Sequence, residues 1–126
     1  AVLPMVRGDF AQYCLAGANG KLTPDLIHFA DGWSVCVILA SAGYPASSHG
    51  GDVISGLDQV SGARVYHCGT RRNAAGQFET NGGRVLAVVA QGGTRIMARD
   101  TAYANAAKLT FDGQQRRSDI AKMHFE

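Results

Sequence analysis

Apolar side chains near the start of the chain recur at helical spacing. Met5, Val6, Phe10, Tyr13 and Cys14 follow an i, i+4, i+8 stripe behind Pro4, with Gly17 or Gly20 as the stop. The pattern predicts a first helix opening at Pro4. Asn19 to Pro24 is rich in turn formers, and Thr23-Pro24-Asp25 to Asp31-Gly32 reads as a connector, which puts a boundary at residues 31/32. From there the period shortens. Ser34 to Ser41 is a short, β-rich run apolar on both faces, as a strand covered on both sides would be. Ala42 to Gly51 reads as a loop, Asp52 to Ile54 and Ala63 to His67 as short strands, and Gly69 to Gly76 as a polar turn containing Arg71 and Arg72. Gln77 to Thr80 returns from that turn, and Arg84 to Ala90 is the longest remaining β run, bracketed by glycines.

The period lengthens again after Thr94. Ile96, Met97, Tyr103, Ala104 and Ala107 fall on one helical face and Arg95, Arg99, Asn105 and Lys108 off it, predicting a second helix from about Arg95 to Leu109. Phe111-Asp112-Gly113 closes it, and Arg116 to Glu126 reads as a polar tail weakly anchored by Ile120 and Met123. Helix, several strands, helix is an α+β order, with a mostly antiparallel sheet forming a partial barrel or sandwich against the second helix.

Composition narrows the function classes. The chain has 126 residues, 46% hydrophobic and 17% charged, with a formal net charge of +2, which suits one folded domain and not a disordered tail. An apolar run such as Val35 to Ala40 is far short of the roughly 20 residues of a membrane-spanning helix. Cys14, Cys36 and Cys68 are expected to be buried, reduced thiols of a cytoplasmic protein. His28, His49, His67 and His124 never fall at metal-pair spacing, so no metal site is expected. The chain opens on Ala-Val-Leu-Pro without a Met, which reads as the interior of a longer polypeptide.

Few motifs carry chemistry. Asn81-Gly82-Gly83-Arg84 admits two readings: a plain turn, or a nest of backbone N–H groups with a guanidinium beside it, suited to a phosphate. Gly43-Tyr44-Pro45 is either a loop with one fixed φ or a flap whose Tyr44 ring walls a ligand. His67-Cys68 suggests a nucleophile and base, but neighbours on a strand point to opposite faces, so the dyad is discarded. Arg71-Arg72 and Arg116-Arg117 are too sparse for a nucleic-acid stripe and read as solvated turns. Neither a G-x-x-x-x-G-K-[ST] loop nor a close carboxylate cluster occurs, so no catalytic residue is assigned.

Read in order, Val35 to Ala40, Gly43-Tyr44-Pro45, Gly51 to Leu57, Val65 to Thr70 and Thr80 to Leu86 resemble the C-terminal part of glycinamide ribonucleotide synthetases, the phosphoribosylamine–glycine ligases of the ATP-grasp superfamily. Leu3 to Val6 matches the helix after that family's G-D-P-E-[TC]-Q motif, and Phe111-Asp112-Gly113 with Arg117 to Ile120 matches its end. Ala46, Cys68, Ala87 and Ser118 depart from the usual pattern. The resemblance implies that residues 1–31 are a helix and connector from the end of the ATP-grasp lobe and 32–126 the C-terminal domain. It implies a parent enzyme that uses ATP with Mg or Mn to activate glycine as an acyl phosphate, attacked by 5-phosphoribosylamine in purine biosynthesis. It further implies that this domain, inactive alone, packs on the N-terminal and ATP-grasp lobes and faces phosphoribosylamine with Asn81, Gly82, Gly83 and Arg84. Gly43, Tyr44, Pro45, His67, Gly69 and Thr70 follow family motifs as well, with packing as the other reading of His67. A reading of another class is a free-standing anion-binding or scaffold module that reuses the domain.

Overall fold

In the computed structural model, which describes residues 1–122, the chain runs β1 (Val6–Gly8), α1 (Phe10–Ala18), β2 (Ile27–Phe29), β3 (Trp33–Ala40), β4 (Gly50–Val53), β5 (Ala63–His67), β6 (Thr70–Arg72), β7 (Phe78–Asn81), β8 (Arg84–Gly92) and α2 (Arg95–Ala106). All strand pairs are antiparallel. They form three sheets, β1-β2, β3-β8-β5 and β4-β7-β6, so the α+β expectation holds.

The first helix starts later than its apolar stripe predicts. Asp9 takes the N-cap, its Oδ1 accepting the Gln12 N–H at 3.0 Å, and a side-chain cap of this kind outweighs the permissive Pro4. Leu3–Met5 forms a 3-10 turn instead, and Val6 pairs across to Phe29. The second helix begins where predicted, capped by Thr94 Oγ1, but ends at Ala106, short of Leu109. Arg71 and Arg72 belong to β6. The turn lies beyond them and is built by Asn73, whose Oδ1 accepts the N–H groups of Ala75 and Gln77, both at 3.0 Å.

The core lies between the β3-β8-β5 sheet and α2. Val35, Val37 and Leu39 stand opposite Ala90, Val88 and Leu86, and Ala98, Ala102 and Ala106 bring the helix onto them along a small-residue stripe. Leu109 and Phe111 complete it. Buried Asn105 is satisfied on both ends of its amide: Nδ2 donates to the carbonyls of Ser61 and Thr101, and Oδ1 accepts from the Ser61 N–H and the Lys108 ammonium. The cysteines contradict expectation. Cys14 and Cys68 are exposed, and Cys36 is half-buried because it alternates along β3 with Val35 and Val37, which take the core face. Partial burial pushes the Cys36 thiol pKa up. Met123 and His124 lie outside the described residues.

One irregularity matters for the site. β3 and β8 pair in step from Trp33↔Gly92 to Leu39↔Leu86, then slip, so that Ala40 stands opposite Arg84 and Val85 is the extra residue. Strict alternation would put Arg84 on the core face with Leu86. The bulge moves it to the other face, beside Ile38 and Ala40, and turns Val85 into the core.

Gly56 is placed where a side chain has no room. Its φ is +85° and an added Cβ would lie 2.0 Å from the Lys108 carbonyl oxygen, at the point where Ser55 and Thr110 exchange backbone hydrogen bonds. Gly56→Ala should lower the unfolding free energy by about 2 kcal/mol or more. Urea denaturation measures this, and an unchanged midpoint would contradict the close approach.

Candidate anion-binding site

Three separate pieces of chain meet on the sheet face opposite α2. The first is the bulged start of β8, which presents Arg84. The second is the loop after β3. Gly43 adopts φ +79°, and the Tyr44 ring lies so close to Gly83 that a Cβ there would stand 2.3 Å from Tyr44 Cδ2. The third is the stretch after Phe111. Gln115 exchanges backbone hydrogen bonds with Ala40, both at 2.9 Å, and its Nε2 donates to the carbonyls of Ser41 at 2.8 Å and Tyr44 at 2.9 Å. One glutamine thus ties the end of β3, the Tyr44 loop and the following arginines together.

The result is an open cavity of about 400 Å³ lined by Ile38, Ala40, Tyr44, Pro45, Arg84, Gln115, Arg116 and Arg117. Its floor is apolar and its rim carries three guanidinium groups. Among the described residues, Arg84 and Arg116 have no hydrogen-bonding or ionic side-chain partner, whereas Arg117 Nε donates to Asp119 Oδ1 at 2.8 Å and Nη2 to Oδ2. Such a site suits a small organic anion: guanidinium forks match phosphate or carboxylate oxygens, and the floor accepts a carbon skeleton. Another hollow of about 370 Å³, lined by Pro4, Gly62, Ala63, Arg64, Val89 and Gln91, offers one guanidinium.

The residues expected from the sequence divide. Tyr44, Pro45 and Arg84 line the cavity. Gly43, Gly69, Gly82 and Gly83 stand behind it as backbone: Gly69 lets its chain run against the Arg84 carbonyl, where a Cβ would be 2.8 Å away, and its own carbonyl takes the Asn81 N–H at 2.8 Å. That hydrogen bond removes Asn81 from any nest of free N–H donors. His67 and Thr70 are elsewhere. Their Nδ1 and Oγ1 are 3.0 Å apart, and the imidazole packs on Phe78, whose ring also carries the Arg72 guanidinium at 4.1 Å. Cys68 Sγ reaches the Tyr66 carbonyl, not His67. Gln115, Arg116 and Arg117 also line the cavity, where the sequence reads the two arginines as a solvated turn. Among the described residues, no three His, Cys, Asp or Glu side chains converge to hold a metal ion.

Comparison with known proteins follows the same region of the chain. The family model described as phosphoribosylglycinamide synthetase, C domain, matches residues 34–123. The chain belongs to this family. It is similar to the phosphoribosylamine–glycine ligase of Caldanaerobacter subterraneus subsp. tengcongensis, 41% identical over 121 residues, covering 96% of this chain and 29% of the relative. The Yersinia pestis ligase is 40% identical, over 94% of this chain and 28% of its own length. A crystal structure of the Thermotoga maritima ligase superposes with a TM-score of 0.75 at 32% identity, covering 88% of this chain and 27% of that one. This C domain therefore spans under a third of the relatives it matches, and its resemblance to the ligase family is confirmed.

The Arg117–Asp119 pair gives the cavity rim an acid limit. Hydrogen bonding from Arg117 holds the Asp119 carboxyl at about 2, below the ordinary 3.8. A carboxylate depressed on folding contributes above its ordinary pKa and loses that contribution as pH falls through the folded value. The Asp119 carboxyl carbon should therefore titrate by NMR with a midpoint near 2, and Arg117→Ala should return it towards 3.8.

Proposed function

We propose that this chain is the C-terminal part of a phosphoribosylamine–glycine ligase, which joins glycine to 5-phosphoribosylamine at the expense of ATP in purine biosynthesis in the cytoplasm. Its part is to wall the phosphoribosylamine side of the cleft. The observation that carries the reading is the cavity rimmed by Arg84, Arg116 and Arg117 over Ile38 and Ala40. The ribose 5-phosphate portion of that substrate combines a phosphate with a compact ring, which is the chemistry this rim and floor accept. ATP with Mg or Mn would supply the activation of glycine. In this reading the nucleotide and metal are held by other parts of the ligase.

Residues 1–31 fit the end of the ATP-grasp lobe in this reading. Phe10, Leu15, Leu22, Phe29 and Trp33 are all exposed at that end, more large apolar surface than a finished exterior carries, which supports packing against the N-terminal and ATP-grasp lobes.

The chain alone should release no ADP from ATP in the presence of glycine, Mg²⁺ and phosphoribosylamine, and turnover at an ordinary ligase rate would sink the assignment of the catalytic parts elsewhere. In the full-length ligase, Arg84→Ala should raise KM for phosphoribosylamine and leave KM for ATP and glycine nearly unchanged. A charge-assisted contact is worth about 1.5 to 3 kcal/mol, or roughly 10- to 150-fold. Steady-state kinetics on each substrate decides it: a folded variant with unaltered phosphoribosylamine kinetics removes Arg84 from the site.

A further inference from the structure

The stretch from Arg117 to Ala121 lies across α2 and is held there by a stripe of polar side chains. Arg95, Arg99 and Tyr103 are spaced four residues apart, so they stand one above another on one helix face. All three donate to main-chain carbonyls: Arg95 to Ala121, Arg99 to Ser118 at 3.4 Å, and Tyr103 to Arg117 at 2.8 Å. The Tyr103 hydroxyl also accepts the Ile120 N–H at 3.1 Å, so a single oxygen closes both ends of the Arg117–Ile120 turn. The ring is itself flanked by the Arg99 guanidinium, 4.9 Å from its centre.

Arg117 needs such a hold. Its side chain is 73% exposed, so packing does not fix it. What fixes it is Asp119 on the guanidinium and Tyr103 on the peptide, and Asp119 lies within the same turn that Tyr103 closes. Free rotation of a long arginine would have to be given up on binding an anion, and prior restraint lowers that cost.

We propose that Tyr103 is a positioning residue for the anion cavity, acting through Arg117: its hydroxyl sets the Arg117–Ile120 turn so that the guanidinium is already at the rim when the anion arrives. The proposal rests on the reading of the cavity as a phosphate site and adds to it a residue on a different element, outside the cavity lining.

Ribose 5-phosphate is the probe, titrated calorimetrically into the chain. Tyr103→Phe keeps the ring and its stacking with Arg99 and removes only the hydroxyl. It should raise Kd roughly 3- to 10-fold, the worth of one or two neutral hydrogen bonds. In an Arg117→Ala background the same substitution should leave Kd unchanged, because the residue it acts through is gone. An equal loss in both backgrounds would mean a general packing role and overturn the proposal, as would an unchanged Kd in the first. A second readout covers a variant that melts early: in the native chain the Arg117 Nε–H, bonded to Asp119, should exchange slowly with solvent. Tyr103→Phe should speed that exchange without altering the amides of α2, and unaltered Nε–H exchange counts against the proposal. If neither Arg84→Ala nor Arg117→Ala weakens the probe, the phosphate reading itself fails and takes this proposal with it. That outcome differs from a tyrosine without effect at a working site.

Discussion

Strand β8 has to be satisfied on four sides at once. Val85 to Ala90 are buried throughout, so both edges of the strand need hydrogen-bonding neighbours and both faces need cover. β3 and β5 take the edges, and the alanine stripe of α2 takes one face. On the remaining face Ala87 is flanked by Ile38 and Tyr66, and of these Ile38 reaches the cavity. The slip between Leu39 and Ala40 is what reconciles a charged first residue with so apolar a strand. One extra residue sends Val85 inward and Arg84 outward, which replaces a buried unpaired charge with a solvent-facing cation. Fold and cavity therefore have one origin.

Strands β3, β5, β7 and β8 were legible because their lengths and apolar runs are local properties, whereas β1, β2 and β6, three residues each, fell inside a predicted helix, a connector and a turn. Position 84 was legible too, since Asn-Gly-Gly before a β run draws attention on its own. What the sequence concealed depends on distant partners. The start of α1 turned on one carboxylate, Asp9, competing with an apolar stripe and a proline that point to an opening at Pro4. The cysteines were misplaced because an apolar neighbourhood in sequence says nothing of which sheet face is covered by a helix. Arg116 and Arg117 look like solvated charges when counted against a net +2. Only the Gln115–Ala40 bridge, between residues far apart in the chain, reveals that they share a rim with Arg84. The Asn81 N–H is committed in a similar way, to the carbonyl of Gly69 twelve residues earlier.

The glycines divide the same way. At Gly83 the missing Cβ is the space occupied by the Tyr44 ring, and at Gly69 it is the space of another backbone. Both look alike in sequence, as turn signals, yet one shapes the cavity wall and the other lets two turns touch. A turn signal reports conformational freedom. It does not report which neighbour fills the room.

The side chains of α2 that hold the final stretch reach carbonyl oxygens, and every residue type has one. The identity of Ser118 or Ala121 is therefore of little account to Arg99 or Arg95, while a change at the helix end of either contact removes it outright. For docking this stretch on the helix, then, three side chains of α2 set the track and the stretch supplies its backbone, which leaves the Arg117 and Asp119 side chains free to serve the cavity rim.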